Sequence, residues 1–152
     1  DCHQKFENLV ELSKRGGGCS TVIVQPGDDI QKAIDSLPEE GGCICLKAGT
    51  HKISSPIRIE TSDVFIHGET PSTRIVYEHG WNVFFIGSLK SPGISNITID
   101  DVQFELIDLH LNEDEFPLSS IAVLICCENI SLKNCKFILR NTRSEIPTAG
   151  LF

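Results

Sequence analysis

Three stretches of this chain are versions of one phrase: Ser62-Asp63-Val64-Phe65-Ile66-His67-Gly68, Ser95-Asn96-Ile97-Thr98-Ile99-Asp100-Asp101 and Glu128-Asn129-Ile130-Ser131-Leu132-Lys133-Asn134. Val64, Ile97 and Ile130 are spaced by 33 residues, and Ile66, Ile99 and Leu132 keep the same step. Apolar residues alternate within each phrase, as a strand with one buried face requires. Ile97 and Ile99 are expected to point inward, with Thr98 and Asp100 on the other side. Short strands recurring at a fixed period predict a solenoid in which each repeat is one turn.

A second short strand follows each phrase, Val102-Gln103-Phe104 and Cys135-Lys136-Phe137, again 33 residues apart. Between phrase and second strand stand Gly68, Asp101 and Asn134, residue types that tolerate a left-handed backbone. Upstream lie Ile57-Arg58-Ile59, Phe84-Phe85-Ile86 and Val123-Leu124-Ile125. The first and last are expected to align as Ile57 with Val123 and Ile59 with Ile125. Hairpin signals do not recur between the strands. Three strands per turn describe an all-β fold, a right-handed parallel β-helix. A short capping α-helix is expected at about residues 29–37, with Asp28 as N-cap, Gln31 completing a capping box, and Ile30, Ala33, Ile34 and Leu37 on one face. Residues 6–14 read as a second helix within a leader, 1–19, and 20–152 as the β-helix domain.

The run Val24-Gln25-Pro26-Gly27-Asp28-Asp29-Ile30-Gln31-Lys32-Ala33-Ile34-Asp35, then Gly41-Gly42-Cys43-Ile44-Cys45-Leu46-Lys47-Ala48-Gly49-Thr50-His51, resembles the opening of pectin-lyase-like right-handed β-helix proteins. Val64-Phe65-Ile66-His67-Gly68-Glu69 continues the similarity, which covers about Thr21 to Leu139. The resemblance implies the fold and leaves activity open, because that superfamily holds lyases, hydrolases, epimerases, phage tailspikes and proteins without chemistry.

The net charge of −8 opposes binding to nucleic acid or anionic membranes. It also opposes acidic polysaccharides unless a local basic patch or calcium compensates. No apolar run reaches membrane-spanning length, so no membrane insertion is expected. The absence of Met and the abrupt ends lead us to expect a piece of a longer chain. Seven cysteines, an odd number, argue against a fully paired disulfide framework and lean toward a reducing compartment, cytoplasmic or surface-associated. Cys43 and Cys45 should share one strand face, opposite Ile44 and Leu46, where Cys19 could approach them. Cys135, in register with Val102, should be a small core residue.

Candidate chemistry falls into three groups. Asp100, Asp101 and Asp108 are the carboxylates available for acid–base catalysis, and Glu113, Asp114 and Glu115 could bind calcium through hard oxygen ligands; otherwise no cofactor is expected. His51, His67, His79 and His110 are dispersed and share no register. Tyr77, Trp81 and Phe85 are close in sequence and could stack on sugar rings. The expected function is therefore a β-helix module of a larger protein, binding polysaccharide or acting as a scaffold, with no demonstrable active site. Two alternatives stand beside it. One is a polysaccharide lyase or glycoside hydrolase acting on uronic-acid polymers; the other is a phage-tail or secretion-apparatus component, for which oligomerisation is expected.

Overall fold

The computed structural model describes residues 21–78, 82–87, 89, 93–108 and 120–140. Its strands are β1 (Thr21–Val24), β2 (Gly42–Leu46), β3 (Thr50–Ile53), β4 (Ile57–Ile59), β5 (Val64–Gly68), β6 (Arg74–Glu78), β7 (Asn82–Gly87), β8 (Ile94–Asp100), β9 (Gln103–Ile107), β10 (Ser120–Ile125), β11 (Cys127–Lys133) and β12 (Lys136–Arg140). One helix, α1 (Ile30–Asp35), lies between β1 and β2. The helical stretch expected at residues 6–14 lies outside the described residues.

The strands form three sheets in which every pairing is parallel. The first has the order β1-β2-β5-β8-β11, the second β4-β7-β10 and the third β3-β6-β9-β12. After β1 and β2, which are neighbours in the first sheet with α1 between them in sequence, the chain visits the sheets in turn and returns to each one strand further along.

Inward columns run across each sheet. Val22, Ile44, Ile66, Ile99 and Leu132 stand in register in the first, and Ile44, Ile66 and Ile99 have no exposed surface. Burial of such a side chain contributes about 1.5–3 kcal/mol. β2 is buried along its whole length, as parallel strands covered on both faces are.

The repeat is less regular than the phrases imply. Along the first-sheet column the steps are 22, 22, 33 and 33 residues. The longer circuits carry both added connections, such as that between β9 and β10, and longer strands in this sheet, β8 and β11 having seven residues against four or five in β1, β2 and β5. In the second sheet Ile57 pairs with Phe84 and Phe84 with Ala122. Ala122 and Leu124, rather than Val123 and Ile125, thus continue the Ile57 and Ile59 columns. The register is one residue off the expected one because β10 ends in a left-handed corner at Cys126 (φ 49°), leading directly into β11.

Two columns of left-handed residues turn the chain. Gly41, Asp63, Asn96 and Asn129 have φ of 84°, 58°, 61° and 55°, and Asp101 and Asn134 have 54° and 49°. Asp101 and Asn134 behave as their residue types suggest. Gly68 does not adopt a left-handed φ; it is required by close approach. A Cβ there would stand 2.1 Å from the backbone oxygen of Asp101, so only glycine fits.

The helix N-cap is Asp29, whose carboxylate accepts from the backbone N–H of Gln31 (2.9 Å) and Lys32 (3.3 Å). Asp28, the expected cap, instead accepts from Gln25 N–H (2.8 Å) and closes the preceding turn. Gln31 makes no capping box. Its Oε1 accepts from Arg58 N–H (2.7 Å) and its Nε2 donates to Arg58 O (3.1 Å). The carboxamide thus substitutes for a neighbouring strand at the edge of β4, satisfying backbone groups that a sheet edge leaves open.

Candidate functional site

Because β3, β6, β9 and β12 alternate, their outward residues make a ruled surface. One row is Thr50, Arg74, Gln103 and Lys136; the next is Lys52, Val76, Glu105 and Ile138; the third is Glu78, Ile107 and Arg140. Rows advance by about 4.8 Å from strand to strand. Among the described residues, Lys52, Arg74, Lys136 and Arg140 share this face with two carboxylates, Glu78 and Glu105. Four cations against two anions make this face locally basic on a chain of net charge −8.

Glu105 organises the surface. Its side chain is 9% exposed; Arg74 Nη1 donates to Oε2 at 3.1 Å, and Arg140 Nε donates to Oε1. Arg74 Nη2 also donates to Thr50 Oγ1 at 3.0 Å. Charge-assisted bonds of this kind fix direction as well as distance. Lys52 and Glu78 are 3.8 Å apart and largely exposed, an arrangement of little energetic weight. The side chain of Gln103 donates to the backbone oxygen of Pro71. The ion network was not legible in the sequence, because Arg74, Glu105 and Arg140 are separated by 31 and 35 residues and sit on circuits of unequal length.

The residues singled out from sequence are scattered. Tyr77 lies inward on β6, 6% exposed and packed in the core; burial raises its phenol pKa. Phe85 points outward on the second sheet, where the Arg58 guanidinium lies 5.1 Å from its ring centroid. The two aromatic residues thus share no surface, and Trp81 lies outside the described residues. Asp100 accepts from Asn134 Nδ2 at 2.9 Å. Asp101 is a corner, and Asp108 (φ 48°) is the next, beyond β9. At about 3.3 Å per residue, β9 holds these two carboxylates at opposite ends of a strand. Glu113, Asp114, Glu115, His79 and His110 lie outside the described residues. Among the described residues no group of three or more His, Cys, Asp or Glu is placed to hold a metal ion.

His51 is buried and faces inward, its Nε2 2.8 Å from Lys47 O. His67 stacks on Phe65 at 5.1 Å. Cys43 and Cys45 share the outward face of β2 as expected, in register with Phe65 and His67. Cys45 is disulfide-bonded, its partner lying outside the described residues. Cys126, Cys127 and Cys135 carry free thiols. Cys135 packs against the core, and burial raises its thiol pKa.

No family model matches the chain, and neither does any curated protein or solved structure.

Proposed function

We propose that the chain is a right-handed parallel β-helix of the pectin-lyase-like kind and serves as a module that binds acidic polysaccharide along the outer face of the third sheet. The parallel sheets visited in rotation support the solenoid, and the strong right-handed preference of parallel crossovers supports its hand. One observation carries the binding reading: the excess of Lys52, Arg74, Lys136 and Arg140 over Glu78 and Glu105 supplies the local basic patch that an acidic glycan needs on so acidic a chain. Glu105 holds two guanidiniums in place, so less side-chain freedom is lost on binding. The separation of Asp101 from Asp108 favours binding over glycosidic chemistry.

Thermal unfolding with uronic-acid and neutral oligosaccharides, with and without Ca²⁺, tests this. A ligand at a hundredfold its Kd stabilises the fold by about 2.7 kcal/mol. The expected result is a melting shift with uronides that salt suppresses and that Lys136→Ala with Arg140→Ala removes. Equal shifts with neutral sugars, or no shift with uronides, would overturn it.

A further inference from the structure

Glu105 joins two guanidiniums but leaves them differently equipped. Arg74 is held at both terminal nitrogens: Nη1 donates to Glu105 Oε2 at 3.1 Å and Nη2 to Thr50 Oγ1 at 3.0 Å, and its Nε is buried. Arg140 is held only through Nε, which donates to Glu105 Oε1. The remaining donors of its guanidinium, those on Nη1 and Nη2, have no partner among the described residues. The Arg140 side chain is 58% exposed, and that of Glu105 is 9% exposed. The buried carboxylate thus grips Arg140 beside its stem and leaves the far edge of the fork open. β12 carries two more outward residues, Lys136, which is exposed, and Ile138, which is half-buried. At about 3.3 Å per residue, Lys136 and Arg140 stand about 13 Å apart along the strand.

We propose that Lys136, Ile138 and Arg140 form one uronide subsite running along β12, in which Arg140 recognises a carboxylate and Glu105 is the residue that positions it. This subsite rests on the polysaccharide-binding reading above and sets the direction of the glycan, along the strand rather than across the rows. Across the first row the next cation after Lys136 is Arg74, whose terminal nitrogens are already engaged, and Gln103 between them donates to Pro71 O. A planar carboxylate accepts two parallel N–H bonds from Nη1 and Nη2, a match that the point charge of a lysine lacks. Ile138 offers hydrocarbon to the sugar between the two anions, and Lys136 takes the second carboxylate. Glu105 acts on this site in two opposed ways. Its charge weakens the attraction of the face for anions, and its bond to Arg140 removes side-chain freedom that binding would otherwise cost. The positioning role requires the second effect to be the larger.

Titration calorimetry of the 152-residue chain with uronic-acid oligomers, from monosaccharide to hexasaccharide, tests this. Affinity is expected to rise with length until two carboxylates span about 13 Å, and then to level. Arg140→Lys keeps the charge and loses the fork, and should bind at least about tenfold more weakly, a larger loss than Arg74→Lys causes. Glu105→Gln makes the face more basic, so net charge alone predicts tighter binding, whereas loss of positioning predicts weaker binding. Circular dichroism checks the fold of each variant, and the two arginine changes decide the matter should Glu105→Gln unfold. Tighter binding by a folded Glu105→Gln protein, equal binding by Arg140→Lys, a larger loss from Arg74→Lys, or affinity independent of length would overturn the subsite and leave the polysaccharide reading in place. A parent chain that binds no uronide overturns both.

Discussion

Asn129 donates Nδ2 to Oδ1 of Asn96 at 3.2 Å, and Asn96 repeats the bond to Oδ1 of Asp63 at 2.9 Å. Each residue stands one 33-residue step from the last and adopts a left-handed φ. A carboxylate only accepts at neutral pH, so Asp63 ends the ladder at its first member. Asn96 and Asn129 also begin Asn-X-Thr and Asn-X-Ser sequences; their place in the ladder accounts for both as structural corners.

Asn96→Gly and Asn96→Ala separate the two duties of this residue. Glycine keeps the backbone conformation and loses two hydrogen bonds, each contributing about 0.5–1.5 kcal/mol. Alanine loses these and adds about 1–2 kcal/mol of left-handed strain. Urea unfolding should therefore rank parent, glycine, alanine. Equal stability of the two variants would contradict the strain term.

Gly68→Ala should destabilise more than Gly27→Ala, although only Gly27 has a left-handed φ (99°). A Cβ at Gly27 meets nothing within 4 Å, leaving about 1–2 kcal/mol of backbone strain. At Gly68 it collides with Asp101 O and with Thr73 Cβ at 2.9 Å, which costs about 3 kcal/mol, at the upper end of overpacking. Melting temperatures of the two variants decide the order.

Ile99→Asp should unfold the domain, since it puts an unpaired carboxylate between Ile66 and Leu132 in a position with no solvent exposure. Ile99→Ala should leave it folded at a cost of about 2–5 kcal/mol. Far-UV circular dichroism distinguishes these outcomes. A native-like Ile99→Asp protein would contradict the inward register.

Glu69 ties two circuits together: Lys47 Nζ and the Ala48 N–H donate to its carboxylate at 2.6 and 3.0 Å. The Lys47 bond, then the Ala48 N–H, lowers its pKa from 4.5. A lowered folded-state pKa contributes stability above the unfolded value that is lost as pH falls through the folded one. Glu69→Gln should therefore melt slightly below the parent at pH 7, with the gap closing in acid below pH 4.5. A gap that is unchanged or widens there would exclude the carboxylate as its source.

The sequence by itself determined the inward columns. Alternation in Ile97-Thr98-Ile99-Asp100 can bury only one face, and repetition of the phrase put Val64, Ile97 and Ile130 in register. It also placed the short helix and the shared face of Cys43 and Cys45, which are consequences of local periodicity. Tertiary structure decided what depends on neighbours from other circuits. Asp29 rather than Asp28 caps α1 because the turn from Gln25 consumes Asp28. Gly68 is glycine because Asp101 approaches it, not because of its own φ. Tyr77 is core and Phe85 is surface because they fall on opposite faces of different sheets. The Arg74–Glu105–Arg140 network joins three strands across connections of unequal length, and no spacing within one phrase encodes it. Local pattern fixes which way a side chain points; only the stacking of circuits fixes what it meets there.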